Sequence, residues 1–519
     1  MHPKRFVFVL ALLAACSAGS DGRRRSPSVL PAQPLQAQAV RFGEVVVGES
    51  RTRELNIVNT SQAPVQVTGI SALPAPFEYS AAPLLPFTIP VGGSRRVTLA
   101  FAPAGETDHS FEVAVTHAGG GLRTGVSGTG IAAEQVQDFG QVPLDALNRT
   151  QELSFFVPPN GVSFTIEALG GSEAVPLGGP LFLSSLRGPN GEIYVDESSP
   201  HTGPYFFERN WPAQGLFAPN ALPFTPVNHA HFQLPNTDRS DAQLAPGGGS
   251  YSFRLASPGG ALGSLRVRVV VERRTAGNAG QGHIRLNVFF AAGLALTPAA
   301  APTDVRFQTV LEEADRLLRQ TGVGFGRVAY FKVPDPRFDF LATQADMDDL
   351  MRQSAAAPGR GVSVFLILGN AGGASGGAAA IPGGKTRGGP YSGVFVVHDG
   401  SLSAADQALV VAHEIGHYLG LGHTRELPGV VPYTHDLITD TAECPACPNP
   451  PADNNLMDPV SPVTSSSVLT PGQAFVIRRN VLVDAGPPTF QPTVQTSPQS
   501  GPAQLGAPGT WCHNCVTGP

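Results

Sequence analysis

The sequence predicts a multidomain chain, in which N-terminal β-sandwich modules are followed by an α/β (α+β) domain. Three observations lead there. A length of 519 residues exceeds what one hydrophobic core serves, and about 100 to 200 residues per domain gives three or so units. From about residue 39 to 276, short runs of alternating apolar and polar residues are separated by Gly, Pro, Asn and Ser, the pattern of strands with one buried face. After residue 282 the grammar changes to strand-like runs alternating with apolar residues at three- and four-residue spacing. Glycine and proline, 60 and 49 residues, make about 21 % of the chain, short of a low-complexity composition. Net charge is only −6 and charged residues are 14 % of the total, so no basic surface is available for nucleic acid, and that partner is excluded.

Residues 1–15 combine Lys4 and Arg5 with an apolar run from Phe6 to Ala14, the layout of a secretory signal peptide too short to span a bilayer. Leu13-Ala14-Ala15-Cys16 then resembles a bacterial lipobox. That resemblance implies acylation of Cys16 and an exported protein held at the bacterial membrane through an N-terminal lipid, in the cell envelope or outside the cell. Residues 16–37, rich in Ser, Gly, Pro and Gln and carrying Arg23-Arg24-Arg25, read as a tether.

The first module spans 38–133, with strand-like runs "RELNIVNT", "VQVTGI", "RRVTLAFAP" and "EVAVTH". Its "FGEVVVGESRTRELNIVN", "PFTIPVGGSRRVTLAFAP" and closing "VSGTG" resemble the hydin-like immunoglobulin-like domains of bacterial surface proteins, which implies a spacer or adhesive role and no chemistry. A faint repeat follows, since "FGEV" at 42–45 recurs as "FGQV" at 139–142 and "RTREL" at 51–55 as "RTQEL" at 149–153. A second β-rich module therefore covers 134–276, with strands such as "VSFTIEAL" and "SLRVRVVVERR". Its Asn228-His229-Ala230-His231 sets two histidines on one face of a strand but offers no third ligand, so these read as surface histidines.

The last domain spans 282–485. "IRLNVFF" is a strand. A helix over 303–320 places Phe307, Val310, Leu311, Ala314, Leu317 and Leu318 on one face and stops at Gly322. Then come a strand at 327–333, a helix near 343–354, the strand "VSVFLIL", a glycine-rich loop at 369–390 and the strand "GVFVVHD". Next is "AHEIGHYLGLGHT", residues 412–424, which holds three of the chain's thirteen histidines. Ser403 with Asp406 is a helix N-cap signal, so a helix from about Ala404 to His417 or Tyr418 puts His413 and His417 one turn apart on one face. Glu414 can reach the same ion as a base without being a ligand. In a continuous helix His423 would lie about 15 Å beyond His413 and face away, so the helix must end, and Gly420 is where the chain can turn.

HExxHxxGxxH, supplied by His413, Glu414, His417, Gly420 and His423, resembles the signature of metzincin metalloproteases. The family's downstream methionine turn is matched by Met457 in "NNLMDP", and "DTAECPACPNPPADNNLMDP" is most similar to pappalysin-like secreted members. The resemblance implies one catalytic zinc ion on His413, His417 and His423, Glu414 as general base, and a protein or peptide substrate. Structural calcium is compatible with the sequence, but no residue pattern shows it. Two other readings are a silent surface adhesin or scaffold with a metalloprotease-like domain, and a zinc hydrolase acting on a non-peptide bond. Cys444, Cys447, Cys512 and Cys515 form two CxxC pairs; outside the cytosol these read as disulfides, in any of three pairings. Residues 486–519 are a Pro-, Gly- and Ser-rich tail.

Overall fold

The computed structural model describes residues 33–170, 181–195, 229–257, 263–275, 280–357, 361–378, 381–385, 389, 392–398, 400, 402–424, 436, 438–441, 454–458 and 467–491. These residues build three successive units, each with its own buried apolar cluster.

In the first unit a four-stranded sheet, ordered Leu35–Ala37, Arg51–Asn59, Ser94–Phe101 and Phe77–Ala81, faces a five-stranded one. The latter runs Val40–Val46, Gly120–Ile131, Asp108–His117, Val65–Ile70 and Phe87–Ile89. Alternation carries Leu55, Ile57, Val97 and Leu99 inward from one sheet and Val67, Val113, Val115 and Val126 from the other. Phe42, Phe77 and Phe101 close the core, with ring centroids 4.8 to 5.9 Å apart. The sandwich begins earlier than the composition predicts. Residues 35–37, read as the end of the tether, form an edge strand paired with 57–59, because Leu35 is fully buried in the core.

A second sandwich follows. Glu134–Pro143, Ser264–Arg273, Gly161–Gly170 and His229–Leu234 form one sheet, and Leu153–Val157, Gly249–Ala256, Phe182–Arg187 and Ile193–Val195 the other. The faint repeat has a structural counterpart, since in both units "FGxV" lies in a strand of one sheet and the following "EL" opens or continues a strand of the facing sheet. Pairing differs: the first such strand is parallel to its neighbour in the first unit and antiparallel in the second.

The third unit has a six-stranded mixed sheet, whose main path runs Val323–Lys332, Gly282–Phe290, Val362–Ile367, Val394–Val397 and Gly376–Ala378. The first four strands are parallel and the last is antiparallel at the edge. Asp484–Ala485 adds antiparallel pairing at the start of Gly282–Phe290. Helices α1 (Val305–Arg319), α2 (Gln344–Arg352), α3 (Ala404–Tyr418) and α4 (Pro471–Ile477) have side-chain N-caps from Asp304, Thr343, Ser403 and Thr470. The edge strand Gly376–Ala378 lies in the stretch the sequence presents as loop. Gly-Gly-Ala has no β-forming side chains, so only pairing with Val394–Val397 makes it a strand. Nor is the whole of 486–519 a free tail: the Thr489 and Phe490 N–H groups donate to the Phe325 carbonyl, and Phe490 packs on the Phe325 ring. No helix of the described residues is long and apolar enough to cross a membrane.

The second and third units share a polar interface. Gly161–Gly170 is buried on both faces: Phe164, Ile166 and Ala168 enter its own core, while Ser163, Thr165 and Glu167 are covered from outside. Ser163 Oγ donates to the Arg479 carbonyl (2.5 Å), Gln233 Nε2 to the Val476 carbonyl (3.3 Å) and Asn480 Nδ2 to Gln233 Oε1 (3.0 Å). His231 is therefore no surface histidine but 1 % exposed, because its strand faces this interface. Nearer the first unit, the Val46 N–H donates to Thr275 Oγ1 (2.8 Å) and the Thr275 N–H to Glu49 Oε2 (2.9 Å).

Burial pulls the His231 imidazole from 6.5 down to about 3. The unfolded chain takes up a proton below about 6.5 while the folded one does not, so stability present above that pH is lost as pH falls toward 3. Urea unfolding of metal-saturated protein tests this: between neutral pH and about 4.5 the wild type is expected to lose about 2 to 3 kcal/mol more than His231→Gln. Equal losses would show that the imidazole takes up its proton within the fold.

Candidate metal centre

Helix α3 begins where Ser403 Oγ accepts from the Asp406 N–H (3.1 Å), and it buries nearly its whole length, Gln407 to Tyr418. His413 and His417, one turn apart, stand with ring centroids 4.6 Å from each other. The helix ends in a Schellman turn: the Leu421 N–H donates to the Gly416 carbonyl (3.0 Å) and the Gly420 N–H to the His417 carbonyl (2.9 Å). Gly420 sits there at φ +104°, a conformation that costs any residue with a Cβ. Beyond it the chain doubles back and sets the His423 ring 4.6 Å from His417 and 5.4 Å from His413.

Two carbonyls fix the orientation of the rings. His413 Nδ1 donates to the Leu456 carbonyl (2.7 Å) and His417 Nδ1 to the Leu421 carbonyl (2.8 Å), which leaves both Nε2 lone pairs facing inward. One ligand nitrogen from each of the three histidines lies within 4.8 Å of the others. His417 Nε2 and His423 Nε2 are 3.1 Å apart, close to the roughly 3.3 Å separating two donors at about 2.0 to 2.1 Å on one tetrahedral ion. Burial lowers all three imidazoles: His417 well below the usual range, helped by the other two rings, His423 to about 3, and His413 more mildly. Neutral histidines are what a metal requires.

Glu414 follows His413 in the helix, is fully buried, and sets its carboxyl against Gly376 of the edge strand. Burial pushes its carboxyl well above the ordinary range. Among the described residues, neither of its oxygens has a hydrogen-bond partner, nor has His413 Nε2. Buried polar atoms of this kind are normally satisfied, so a cation and a water fit the residues present.

Met457 is fully buried against Gly416, the residue before His417. The Met457 N–H donates to Asn455 Oδ1 (2.9 Å), its carbonyl accepts from the Thr424 N–H (3.2 Å), and the Asn455 amide exchanges two 3.0 Å hydrogen bonds with Gln473 of α4. Sequence reasoning missed Asn455, Gln473 and the two carbonyls. Only Asn455 left a trace, as the Asn two residues before the methionine. Cys16, Cys444, Cys447, Cys512 and Cys515 lie outside the described residues.

Residues 305–424 match the family model "Metallo-peptidase family M12B Reprolysin-like". That stretch carries the three histidines and Glu414, and it is similar to a reprolysin-like metallopeptidase domain. Residues 27–121 match "Abnormal spindle-like microcephaly-assoc'd, ASPM-SPD-2-Hydin", in agreement with a hydin-like first sandwich. No curated protein sequence matches the chain. Among solved structures, the ASH/PapD-like domain 7 of human CEP192 is 19 % identical over 22 % of this chain and 99 % of its own, with TM-score 0.18. The Vibrio cholerae VesB protease is 18 % identical over 19 % and 31 %, TM-score 0.16, and its secreted serine protease VesC 12 % over 46 % and 49 %, TM-score 0.17. The chain thus spans half or less of either Vibrio protein, and likenesses this low carry no argument about function.

Gly416 shows how closely the methionine turn approaches the helix. A Cβ added there would stand 2.7 Å from Met457 Sδ, so Gly416→Ala is expected to cost about 1 to 3 kcal/mol in chemical denaturation. By shifting the neighbouring Leu456 carbonyl off His413, it is also expected to weaken zinc binding roughly 10- to 100-fold in chelator competition.

Proposed function

We propose that the protein is an exported, lipid-anchored zinc endopeptidase of metzincin type, pappalysin-like in its helix-to-methionine-turn connection. The observation that carries this reading is the convergence of three neutral imidazoles, two of them oriented by backbone carbonyls, on one point, with the buried carboxyl of Glu414 next to His413 in the same helix and, among the described residues, without a hydrogen-bond partner. His413, His417 and His423 would hold the ion. When bound, zinc supplies a Lewis acid and brings the pKa of a coordinated water to about 7.

The chain's own residues do the rest. Glu414, dry and raised in pKa, takes a proton on a carboxylate oxygen and returns it to the leaving amine. The Leu456 and Leu421 carbonyls keep two rings from turning, and Met457 packs against Gly416 beside His417. A peptide would lie along the edge strand Gly376–Ala378, which runs past the base: a Cβ on Gly376 would stand 2.9 Å from Glu414 Oε1.

Metal content and turnover separate the two roles. Glu414→Gln is expected to keep stoichiometric zinc and lose roughly 10²- to 10⁴-fold in peptide turnover, whereas His417→Ala is expected to lose both. A fully active Glu414→Gln protein would sink the assignment. Zinc without cleavage of any peptide library would favour a silent scaffold or a hydrolase of another amide.

For the anchor, mass spectrometry of the mature N-terminus is expected to find an acylated Cys16. A mature chain starting elsewhere and unmodified would remove it. In the same sample, Cys444 and Cys447 are expected to resist thiol labelling under denaturing conditions.

A further inference from the structure

Downstream of the edge strand, the chain passes along the end of α3 and into the second sandwich. There the Gly383 N–H donates to the Tyr418 carbonyl (2.7 Å), one residue past His417, and Gly384 packs on the His231 ring. Lys385 then meets an acidic floor. Its backbone N–H donates to Glu167 Oε1 (2.7 Å), its ammonium contacts the Glu134 carboxylate, and Glu272 Oε1 lies 3.3 Å away.

These three glutamates belong to the adjacent strands Glu134–Pro143, Ser264–Arg273 and Gly161–Gly170 of the second sandwich. Glu272 is 0 % and Glu167 3 % exposed. Carboxylates buried in a largely apolar sheet are costly unless paired. Glu167 is paired within its own sheet by Arg268, whereas the Lys385 ammonium, delivered by another unit, supplies a cation to Glu134 and Glu272. Glu272 is bridged on its other oxygen by Arg274 (3.6 Å), whose Nη2 donates to the Val483 carbonyl of the third unit (2.7 Å). Set among apolar side chains, a buried ion pair of this kind is a poor source of stability, but its geometry admits one placement of the loop.

We propose that Lys385 is a positioning residue of the peptidase. Locked into the Glu134–Glu272–Glu167 floor, it fixes residues 381–384, whose Gly383 is tied to the end of the metal-binding helix, just downstream of the edge strand beside Glu414. The second sandwich is on this account a working part of the substrate cleft and more than a spacer. This inference rests on the peptidase reading above.

The test uses full-length protein. Lys385→Met is expected to keep stoichiometric zinc, to lose roughly 10- to 100-fold in kcat/KM toward peptides, most of it in KM, and to speed amide exchange at Gly376–Ala378 and Gly383. Exchange in the sandwich strand Gly249–Ala256, on the far sheet, stays unchanged. Lys385→Arg, which retains the charge, is expected to recover most of the loss. If Lys385→Met does not fold, Glu134→Gln, at the more open end of the floor, is expected to raise KM in the same direction by a smaller factor. Wild-type kcat/KM in Lys385→Met, or a fall in thermal stability with unchanged KM and exchange, overturns the proposal. If the wild type cleaves no peptide, the peptidase reading fails first, and exchange alone then decides: unchanged exchange in Lys385→Met removes the latch.

Discussion

One helix can present two imidazoles to an ion but not three. His413 and His417 use up the face that α3 can aim at one point, and the next turn already carries the chain past it. The third nitrogen has to arrive on a chain that has reversed, and the reversal happens at Gly420 in the left-handed conformation. The remainder of the site follows from that turn. It brings the Leu421 carbonyl back onto His417 Nδ1, places His423 against His417, and leaves Gly416 bare where Met457 packs against it.

Burial gives the centre its electrostatic character. Buried as they are, the imidazoles stay neutral, the state a metal requires, and the raised carboxyl of Glu414 is a stronger proton acceptor once ionised than an exposed glutamate. Such a dry site needs every supporting polar group satisfied. The Asn455–Gln473 amide pair does this under the methionine turn, with Gln473 also accepting from the Thr470 N–H at the start of α4. A short terminal helix is thereby coupled to the placement of the first histidine: Gln473 holds Asn455, Asn455 holds Met457, and the adjoining Leu456 carbonyl holds His413.

Directional polar contacts join the three units. Ser163, Gln233 and Arg274 reach backbone carbonyls of the third unit, and Glu49 of the first reaches the Thr275 amide. Backbone acceptors fix position in a way that a greasy seam does not, because each hydrogen bond has a narrow range of distance and angle. The result is that the turn at Gly420 lies between α4, Pro382 and Gln233.

Local information was sufficient for much of this. Helical spacing placed α1 and α3 to within two residues, the Ser403 cap marked where α3 starts, and the histidine spacing together with Gly420 named the residues that converge. Those features depend on neighbours within a turn or two, so the order of residues determines them. What the tertiary structure alone decided lies between segments far apart in the chain. Gly376–Ala378 has no strand-forming side chains and becomes a strand by pairing. His231, Glu167 and Glu272 look like the polar face of an ordinary sandwich strand, and they are buried because another unit covers them. A sequence records which side chains are polar; whether a polar side chain meets water or a partner more than a hundred residues away depends on how complete units pack, and no local period carries that information.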